Sequence, residues 1–248
     1  MKLQDLTIDQ FQRIAALEFS PVLTDYDKRA GVVAIVEGVD VSLVREMPAK
    51  GLTKRYKTII AEWNELPTLA YKRRFKAGGK WWIPTVFTDE LTAGQLIDLM
   101  DTDTTDEKKL VQNLHRIMAT LCREGGFLGY FPKKYDGASH QERAELLKAH
   151  AKIGDVWGVV SFFFAKFRIL LESFERLFQA PDEGNAGPVT NPLAGYGWLM
   201  VVWRMANKDV LKFEAIFAMK AVEFLNYALL IHDILEAERM EAERMRRK

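Results

Sequence analysis

Residues 207–248, NKDVLKFEAIFAMKAVEFLNYALLIHDILEAERMEAERMRRK, contain neither glycine nor proline and change composition at residue 236. Residues 207–235 are densely apolar, whereas residues 236–248 are dominated by charged side chains. A helix with a wide apolar stripe requires a core to pack against, and a helix that is charged all round has left that core. The pattern predicts a long C-terminal helix that packs in this chain's own core as far as Leu235 and continues as a charged arm.

The composition of the whole chain limits the classes of protein it can belong to. Its 248 residues, 48% hydrophobic and 28% charged, suffice for a substantial core. A net charge of +1 provides no overall electrostatic attraction to nucleic acid or to an anionic membrane. The single cysteine, Cys122, excludes an intrachain disulfide framework and a cysteine-rich zinc site. Acidic residues interrupt the N-terminal apolar positions, and the apolar stretch 156–165 is too short to cross a membrane, so we expect a soluble cytoplasmic protein.

Apolar residues recur at helical spacing through most of the chain. Capping-box patterns mark several helix starts, for example Thr7 with Gln10 and Thr92 with Gln95. The predicted helices cover approximately residues 7–19, 25–37, 52–66, 92–100, 107–123, 139–151, 155–179 and 193–206, followed by the terminal helix from residue 207 or 208.

One segment differs from this helical pattern. Residues 69–75 and 81–83 are rich in aromatic and basic side chains and flank the sequence Lys76-Ala-Gly-Gly-Lys80, in which Gly78-Gly79 supplies a turn. This is the best β-hairpin candidate in the chain. Because proline cannot donate a hydrogen bond to a ladder, Pro84 predicts that the second strand lies at a sheet edge.

These elements predict a mainly α protein, a multi-helix bundle with one small β-hairpin at about residues 69–83 and a long C-terminal helix. We expect a single domain spanning residues 1–248. The hairpin offers one point of subdivision, into N-terminal helices 1–67 and a segment 68–248 that contains the hairpin, the bundle and the arm 236–248.

The sequence contains no recognisable catalytic or metal-binding motif. The four histidines lie on different predicted elements, and none pairs with another at the one-turn spacing of a metal site. The acidic stretch 101–106 lacks the glycine and glutamate of a calcium loop, and Gly78-Gly79-Lys80 lacks the remainder of a phosphate-binding loop. We therefore predict a non-enzymatic protein without metal or cofactor. An enzyme with a site assembled around His115 or His150 is the alternative.

Two segments carry candidate partner-binding residues. In the hairpin, cations interleave with aromatic rings, a combination that suits docking on an acidic protein, stacking with nucleic acid, or simply a solvated face over a buried one. In the arm, charged pairs at helical spacing suit either a fraying solvated end or a segment that orders on a partner subunit. The candidate residues are Arg73, Arg74, Lys76, Lys80, Trp81 and Trp82 in the hairpin and Arg239, Arg244, Arg246 and Arg247 in the arm.

Three stretches resemble virion and assembly proteins encoded by tailed bacteriophages, particularly those of Bacteroidota hosts. They are Trp81-Trp-Ile-Pro84 leading into residues 91–99 (LTAGQLIDL), residues 114–119 (LHRIMA) and residues 159–163 (VVSFF). The resemblance covers about residues 70–175. It rests on packing motifs, so no functional residue is carried over from the family.

The resemblance implies a non-enzymatic component of the phage tail or head–tail region that acts through protein–protein contacts. A tail assembly chaperone that is not retained in the virion is one alternative, and a nucleic-acid-binding accessory protein that uses the hairpin is another. The implied partners are other phage structural proteins and further copies of this chain in a homo-oligomer or ring, with no membrane partner. The implied location is the host cytoplasm during assembly, or the virion.

Overall fold

The computed structural model describes residues 2–66, 69–85, 87–104, 106–126, 130–178 and 197–246. The chain divides into two compact units. The first, here called the sheet unit, comprises residues 1–86 and 99–164, and the second, the C-terminal unit, comprises residues 87–98 and 165–248. The subdivision predicted at residue 67 falls inside the sheet unit.

The described residues form twelve α-helices and one three-stranded sheet, which confirms the prediction of a mainly α fold with a small hairpin and a long C-terminal helix. The helices are α1 Ile8–Glu18, α2 Asp25–Glu37, α3 Val41–Arg45, α4 Ala49–Glu65, α5 Ala93–Met100, α6 Glu107–Gln112, α7 Leu114–Leu121, α8 His140–His150, α9 Ile153–Ser173, α10 Trp198–Met205, α11 Phe213–Ala218 and α12 Ala221–Arg246. The strands are β1 Phe75–Ala77, β2 Lys80–Pro84 and β3 Cys122–Glu124.

The sheet is antiparallel, in the order β1-β2-β3. The third strand overturns the prediction of one helix over residues 107–123, because α7 ends at Leu121 and Cys122 is already extended. The predicted edge position of β2 is also wrong, since β2 lies between the other two strands. Pro84 is tolerated there as the last residue of β2, and the ladder continues with the Thr85 N–H, which donates to the Leu121 carbonyl at 2.7 Å.

The core of the sheet unit is built from aromatic and aliphatic side chains on several helices. Phe11 of α1 is fully buried and stacks on Trp63 of α4 at 4.3 Å between ring centroids. The ring of Trp157 on α9 approaches Phe11 edge-on at 5.4 Å. Each such buried side chain contributes about 1.5–3 kcal/mol through the apolar area removed from water. Phe11 therefore joins three helices that are far apart in sequence.

A close backbone approach fixes the position of α9 against residues 69–70. A Cβ atom added at Gly158 would lie 2.6 Å from the carbonyl oxygens of both Leu69 and Ala70, a separation that side chains do not tolerate. Glycine at this position therefore allows the chain leading into the hairpin to lie directly on α9.

The substitution Gly158→Ala is expected to lower the free energy of unfolding by about 1–3 kcal/mol, because the rigid backbone at residues 69–70 must move. Gly51→Ala is the matched control, since nothing lies within 4 Å of its added Cβ and alanine favours the α4 helix by up to about 1 kcal/mol. Urea denaturation of the two variants checks both values. Equal stabilities would show that α9 and residues 69–70 are not in contact.

A partly buried hydrogen-bond cluster joins Gln12 of α1 to the region of His115. The Gln12 side-chain nitrogen donates to the carbonyls of Val111 and Gln112 and lies 2.9 Å from His115 Nδ1. The two hydrogens of this amide nitrogen are thus shared among three neighbouring acceptor positions, of which His115 Nδ1 is one. Burial, followed by the nearby Lys148 charge, lowers the pKa of His115 below its usual 6.5.

The free energy of unfolding is expected to fall as the pH drops below about 6.5, because the unfolded chain then takes up a proton at His115 that the folded chain resists. The folded state keeps its full stability at pH values above the pKa that His115 has in the unfolded chain. It loses stability as the pH falls from there toward the lowered pKa of His115 in the folded chain. Urea midpoints at about pH 7.5 and pH 5.5 measure this change. In His115→Gln the pH dependence should be smaller, and an unchanged dependence would contradict the assignment.

The terminal helix starts later than the sequence predicts. The predicted start at residue 207 or 208 is wrong, because the chain there forms a 3-10 turn, Val210–Lys212, then α11, and only then α12. Two backbone hydrogen bonds to residues 91 and 93, at the start of α5, prevent α11 and α12 from forming one continuous helix. Ala93 N–H donates to the Met219 carbonyl at 2.9 Å, and Ala221 N–H donates to the Leu91 carbonyl at 2.8 Å. A continuous helix would need those groups for its own bonds.

Burial of α12 also ends earlier than predicted. Its buried residues are Ala221, Phe224, Leu225 and Ala228, and none of residues 229–246 is buried. Leu235, predicted to be the last core residue, is exposed. Burial ends early because α12 extends beyond the elements it packs against before its sequence changes from apolar to charged. No helix within the described ranges is long and apolar enough to cross a membrane.

Candidate functional site

The sheet sorts the predicted hairpin residues onto two faces, because successive side chains of a strand point to opposite sides. Phe75, Ala77 and Trp82 are buried on the inner face. Trp82 is 1% exposed, and its indole N–H donates to the Ala77 carbonyl at 3.1 Å. Lys76 and Trp81 lie on the outer face. Trp82 is therefore a core residue of the sheet unit, and Trp81 is the ring available at the surface.

The outer face carries a stack of cations and rings. The Arg74 guanidinium lies 5.0 Å from the Trp81 ring centroid and 4.3 Å from that of Tyr130, and it donates to the Tyr130 hydroxyl at 3.3 Å. The Lys76 ammonium lies 4.8 Å from the Trp81 centroid. At an exposed site each cation–π contact is worth about 0.5–1 kcal/mol. Together with exposed Arg73, these residues form what we call the hairpin patch: Arg73, Arg74, Lys76, Trp81 and Tyr130.

Backbone bonds beside Tyr130 tie the residue that follows it to the chain leaving β3. The Gly125 N–H donates to the Trp81 carbonyl at 2.8 Å, and the Gly126 N–H donates to the Phe131 carbonyl at 2.6 Å. Tyr130 nevertheless remains 63% exposed, and its neighbour Phe131 is also exposed. The sequence suggests only an aromatic loop here. The signal that could have pointed to Tyr130 is its place in an aromatic run without any apolar periodicity.

Lys80 is neutralised locally and does not extend the hairpin patch. Its ammonium lies 3.3 Å from Glu124 on β3, and the same carboxylate pairs with Lys133 at 2.9 Å. The hydrogen bond from Lys133, with a further one from Lys80, lowers the pKa of Glu124. Glu124 therefore stays ionised near neutral pH and holds both lysines beside the sheet.

A groove of about 640 Å³ adjoins the hairpin patch. Its charged lining consists of four cations and two carboxylates: Lys72, Arg74, Lys76 and Lys152, with Asp5 and Asp155. Lys72 forms an ion pair with Asp155. The remaining lining charge is positive, and Arg74 and Lys76 belong to both the groove and the patch. The outer surface of the hairpin is therefore a locally basic area on a chain with almost no net charge.

The predicted arm residues form a separate set in the C-terminal unit. Arg239 pairs with Glu243 at 3.1 Å, one helical turn away. Arg244 and Arg246 are exposed near the end of α12, where cations favourably meet the helix dipole. Arg247 lies outside the described residues. Exposed pairs of this kind contribute a few tenths of a kcal/mol, about 0.3–0.5, so they stabilise the arm only weakly.

One cluster on α12 has the donor atoms of a metal site. His232, Asp233 and Glu236 each offer a ligand atom, and these atoms lie within 4.8 Å of one another. A sequence search for histidine pairs misses this combination of one histidine with two carboxylates. However, the Arg176 guanidinium lies 2.6 Å from Asp233 and 3.9 Å from Glu236. A cation already neutralises these carboxylates, so the contacts fit an ion-pair network better than a metal centre.

Cys122 is unsuited to nucleophilic chemistry. It is fully buried on β3, and burial raises the pKa of its thiol far above the usual range. The reactive form of a cysteine is the thiolate, and a buried thiol with a raised pKa stays protonated at neutral pH. Its position directly after α7 instead makes Cys122 a small apolar group in the core.

Comparisons with known proteins give no further assignment. No protein-family model matches the chain, no curated protein is similar to it, and no solved structure matches its fold.

The two adjacent tryptophans are expected to respond differently to truncation. Trp82→Ala should lower the free energy of unfolding by about 3–5 kcal/mol, because it empties a buried site. Trp81→Ala should cost less, about 1–2 kcal/mol, because Trp81 is only partly buried and loses its cation–π contacts with part of its apolar burial. Chemical denaturation of the two variants measures the difference. A greater loss for Trp81→Ala would contradict the register of Trp82 opposite Glu124.

Proposed function

We propose that this chain is a non-enzymatic structural or assembly protein that works through protein–protein contacts, with the hairpin patch docking on an acidic surface of its partner. The observation that carries this proposal is the Arg74 guanidinium held between the Trp81 and Tyr130 rings. Arginine, tryptophan and tyrosine are the side chains most enriched at binding hot spots. Their mutual contacts order them before a partner arrives, which lowers the entropy lost on binding.

The same contacts favour a protein partner over nucleic acid. Bases of a single strand bind by stacking on exposed aromatic rings. Arg74 and Lys76 both lie on the ring of Trp81, so a base would have to displace a cation to stack there. Carboxylates of a protein could instead bind the cations where they are. A nucleic-acid-binding accessory protein remains the second candidate, because the adjoining groove is basic and Phe131 is exposed nearby.

The resemblance to tailed-phage proteins supplies the biological setting of the proposal. The resembling segment, about residues 70–175, contains the whole hairpin patch. We assign the chain to the tail or head–tail region, in contact with other phage structural proteins and with copies of itself in a homo-oligomer or ring. A tail assembly chaperone would use the same patch before the virion is complete. The protein would then act in the host cytoplasm and, as a structural component, in the virion.

Reversing two charges of the hairpin patch tests the docking function. The double substitution Arg74→Glu and Lys76→Glu should weaken binding to an acidic structural protein encoded beside this chain by at least about tenfold, because it places like charges together. The measurement is a titration of the purified partner followed by calorimetry. The matched control is Lys54→Glu with Lys57→Glu on α4, which makes the same change in charge at exposed positions.

The outcome separates the two candidate functions. Partner binding that survives in the Arg74/Lys76 variant but fails in the control would contradict docking at the patch. The nucleic-acid alternative would be supported if the chain alone, without a protein partner, binds a single-stranded oligonucleotide at low salt. The Arg74/Lys76 variant should then lose that binding.

A further inference from the structure

The sheet has one covered edge and one open edge. The order β1-β2-β3 makes β1 and β3 the two edge strands. The edge of β3 is covered, because the Lys133 N–H donates to the Glu124 carbonyl at 2.9 Å and Gly125 forms a bridge with Pro132. Within the described residues, no backbone group pairs with β1 on the side away from β2. The edge of β1 is therefore open to a further strand.

The register of the sheet determines which backbone groups point out from the open edge. Lys76 lies opposite Trp81, and the Trp81 carbonyl accepts from the N–H of Gly125, just after β3, at 2.8 Å. Because backbone groups alternate in direction along a strand, those of Trp81 point toward β3 and those of Lys76 point away from β2. The Lys76 N–H and C=O therefore face the open edge. One donor and one acceptor at this position are what the backbone of an extended chain can pair with.

The basic groove beside the hairpin patch adjoins this open edge. Three consecutive residues at the start of β1, Arg74, Phe75 and Lys76, line the groove, which has a volume of about 640 Å³. The rest of the lining comes from the N-terminal turn, from the segment before β1 and from the start of α9. A strand added to a sheet lies about 4.7–4.9 Å from its neighbour. An extended segment paired with Lys76 would therefore occupy the groove.

Charge indicates which extended segment fits this edge. The groove is lined by four cations and two carboxylates, and an added strand would place every second side chain beside Arg74 and Lys76 on the outer face. Acidic side chains are attracted at those positions. The intervening side chains would lie on the face of buried Phe75 and Ala77, which suits apolar residues. A second copy pairing through its own β1 would instead bring the cations of both copies together, which is unfavourable.

We propose that the open edge of β1 binds an extended acidic segment of the docking partner by strand addition, with the Lys76 N–H and C=O pairing to the backbone of that segment. The inference rests on the proposed function, since the segment belongs to the partner that the hairpin patch engages. It specifies the recognised element as an extended chain in which acidic and apolar residues alternate. Backbone bonds fix the register of this segment, whereas a folded acidic surface would use the cations alone.

The test uses the purified full chain without any other protein. A synthetic peptide of about ten residues that alternates glutamate and valine is the probe, because this pattern favours an extended chain with one acidic face. Calorimetry should detect its binding. Lys76→Pro removes the edge N–H and should weaken binding by at least about tenfold, because a peptide carbonyl loses its donor. The matched control, Lys76→Gln, removes the same charge but keeps the N–H, and should weaken binding by less than about threefold.

Methylation of the peptide backbone tests the same bonds without altering the protein. Only every second N–H of an added strand faces β1. Methyl groups on either the glutamate or the valine nitrogens should therefore abolish binding, and methyl groups on the other set should leave it intact. The sensitive set also reports whether the added strand is parallel or antiparallel to β1.

Three results would each overturn strand addition: no binding of the peptide, equal binding by the two Lys76 variants, or methylation effects that do not differ between the two sets. These results are distinguishable from failure of the proposed function. If Arg74→Glu with Lys76→Glu abolishes docking of the whole partner while the two Lys76 variants bind it equally, the hairpin patch docks without strand addition. If the peptide binds as expected but the partner does not dock, the proposed function fails instead.

Discussion

The pairing of β2 with β3 is the interaction on which the arrangement of the sheet unit depends. Trp82 lies opposite Glu124 and Pro84 lies opposite Cys122, so strand residues some forty positions apart are fixed in one register. Because strand side chains alternate, a shift of one residue would exchange the inward-facing Trp82 with the outward-facing Trp81. The register therefore buries Trp82 and leaves the half-buried Trp81 on the outer face with Arg74 and Lys76. A two-stranded hairpin alone would be marginal in water, and the third strand makes it a stable platform.

The helices could be predicted because their signals are local. The Thr7 capping box is present as the sequence indicates, and Gly38 ends α2 in the left-handed conformation that favours glycine. The third strand could not be predicted, since Cys122 continues the apolar spacing of α7 and residues 122–124 become extended only by pairing with β2. The break before α12 has the same origin. Bonds from Ala93 and Ala221 to distant carbonyls override a segment that has no glycine or proline.

The candidate site was predictable in composition but not in geometry. The cluster of Arg74, Lys76 and Trp81 is legible as basic residues beside aromatic ones. The contribution of Tyr130 is not, because it reaches Arg74 from a loop 56 residues away. Nor does sequence distinguish adjacent tryptophans until the sheet register is known. For a protein whose proposed work is docking, this distinction determines which ring meets the partner and which ring holds the fold.

The account requires that the hairpin patch be held rigidly by the third strand, and amide hydrogen exchange measures this directly. In the full chain, amides of residues 75–85 and 121–125 should exchange as slowly as those of α7 and α8, because the sheet and the helices around Trp82 open together. The exposed end of α12, residues 236–246, should exchange far faster. If residues 75–85 instead exchange as fast as that end while α7 remains protected, the hairpin is not anchored by β3 and the central claim is wrong.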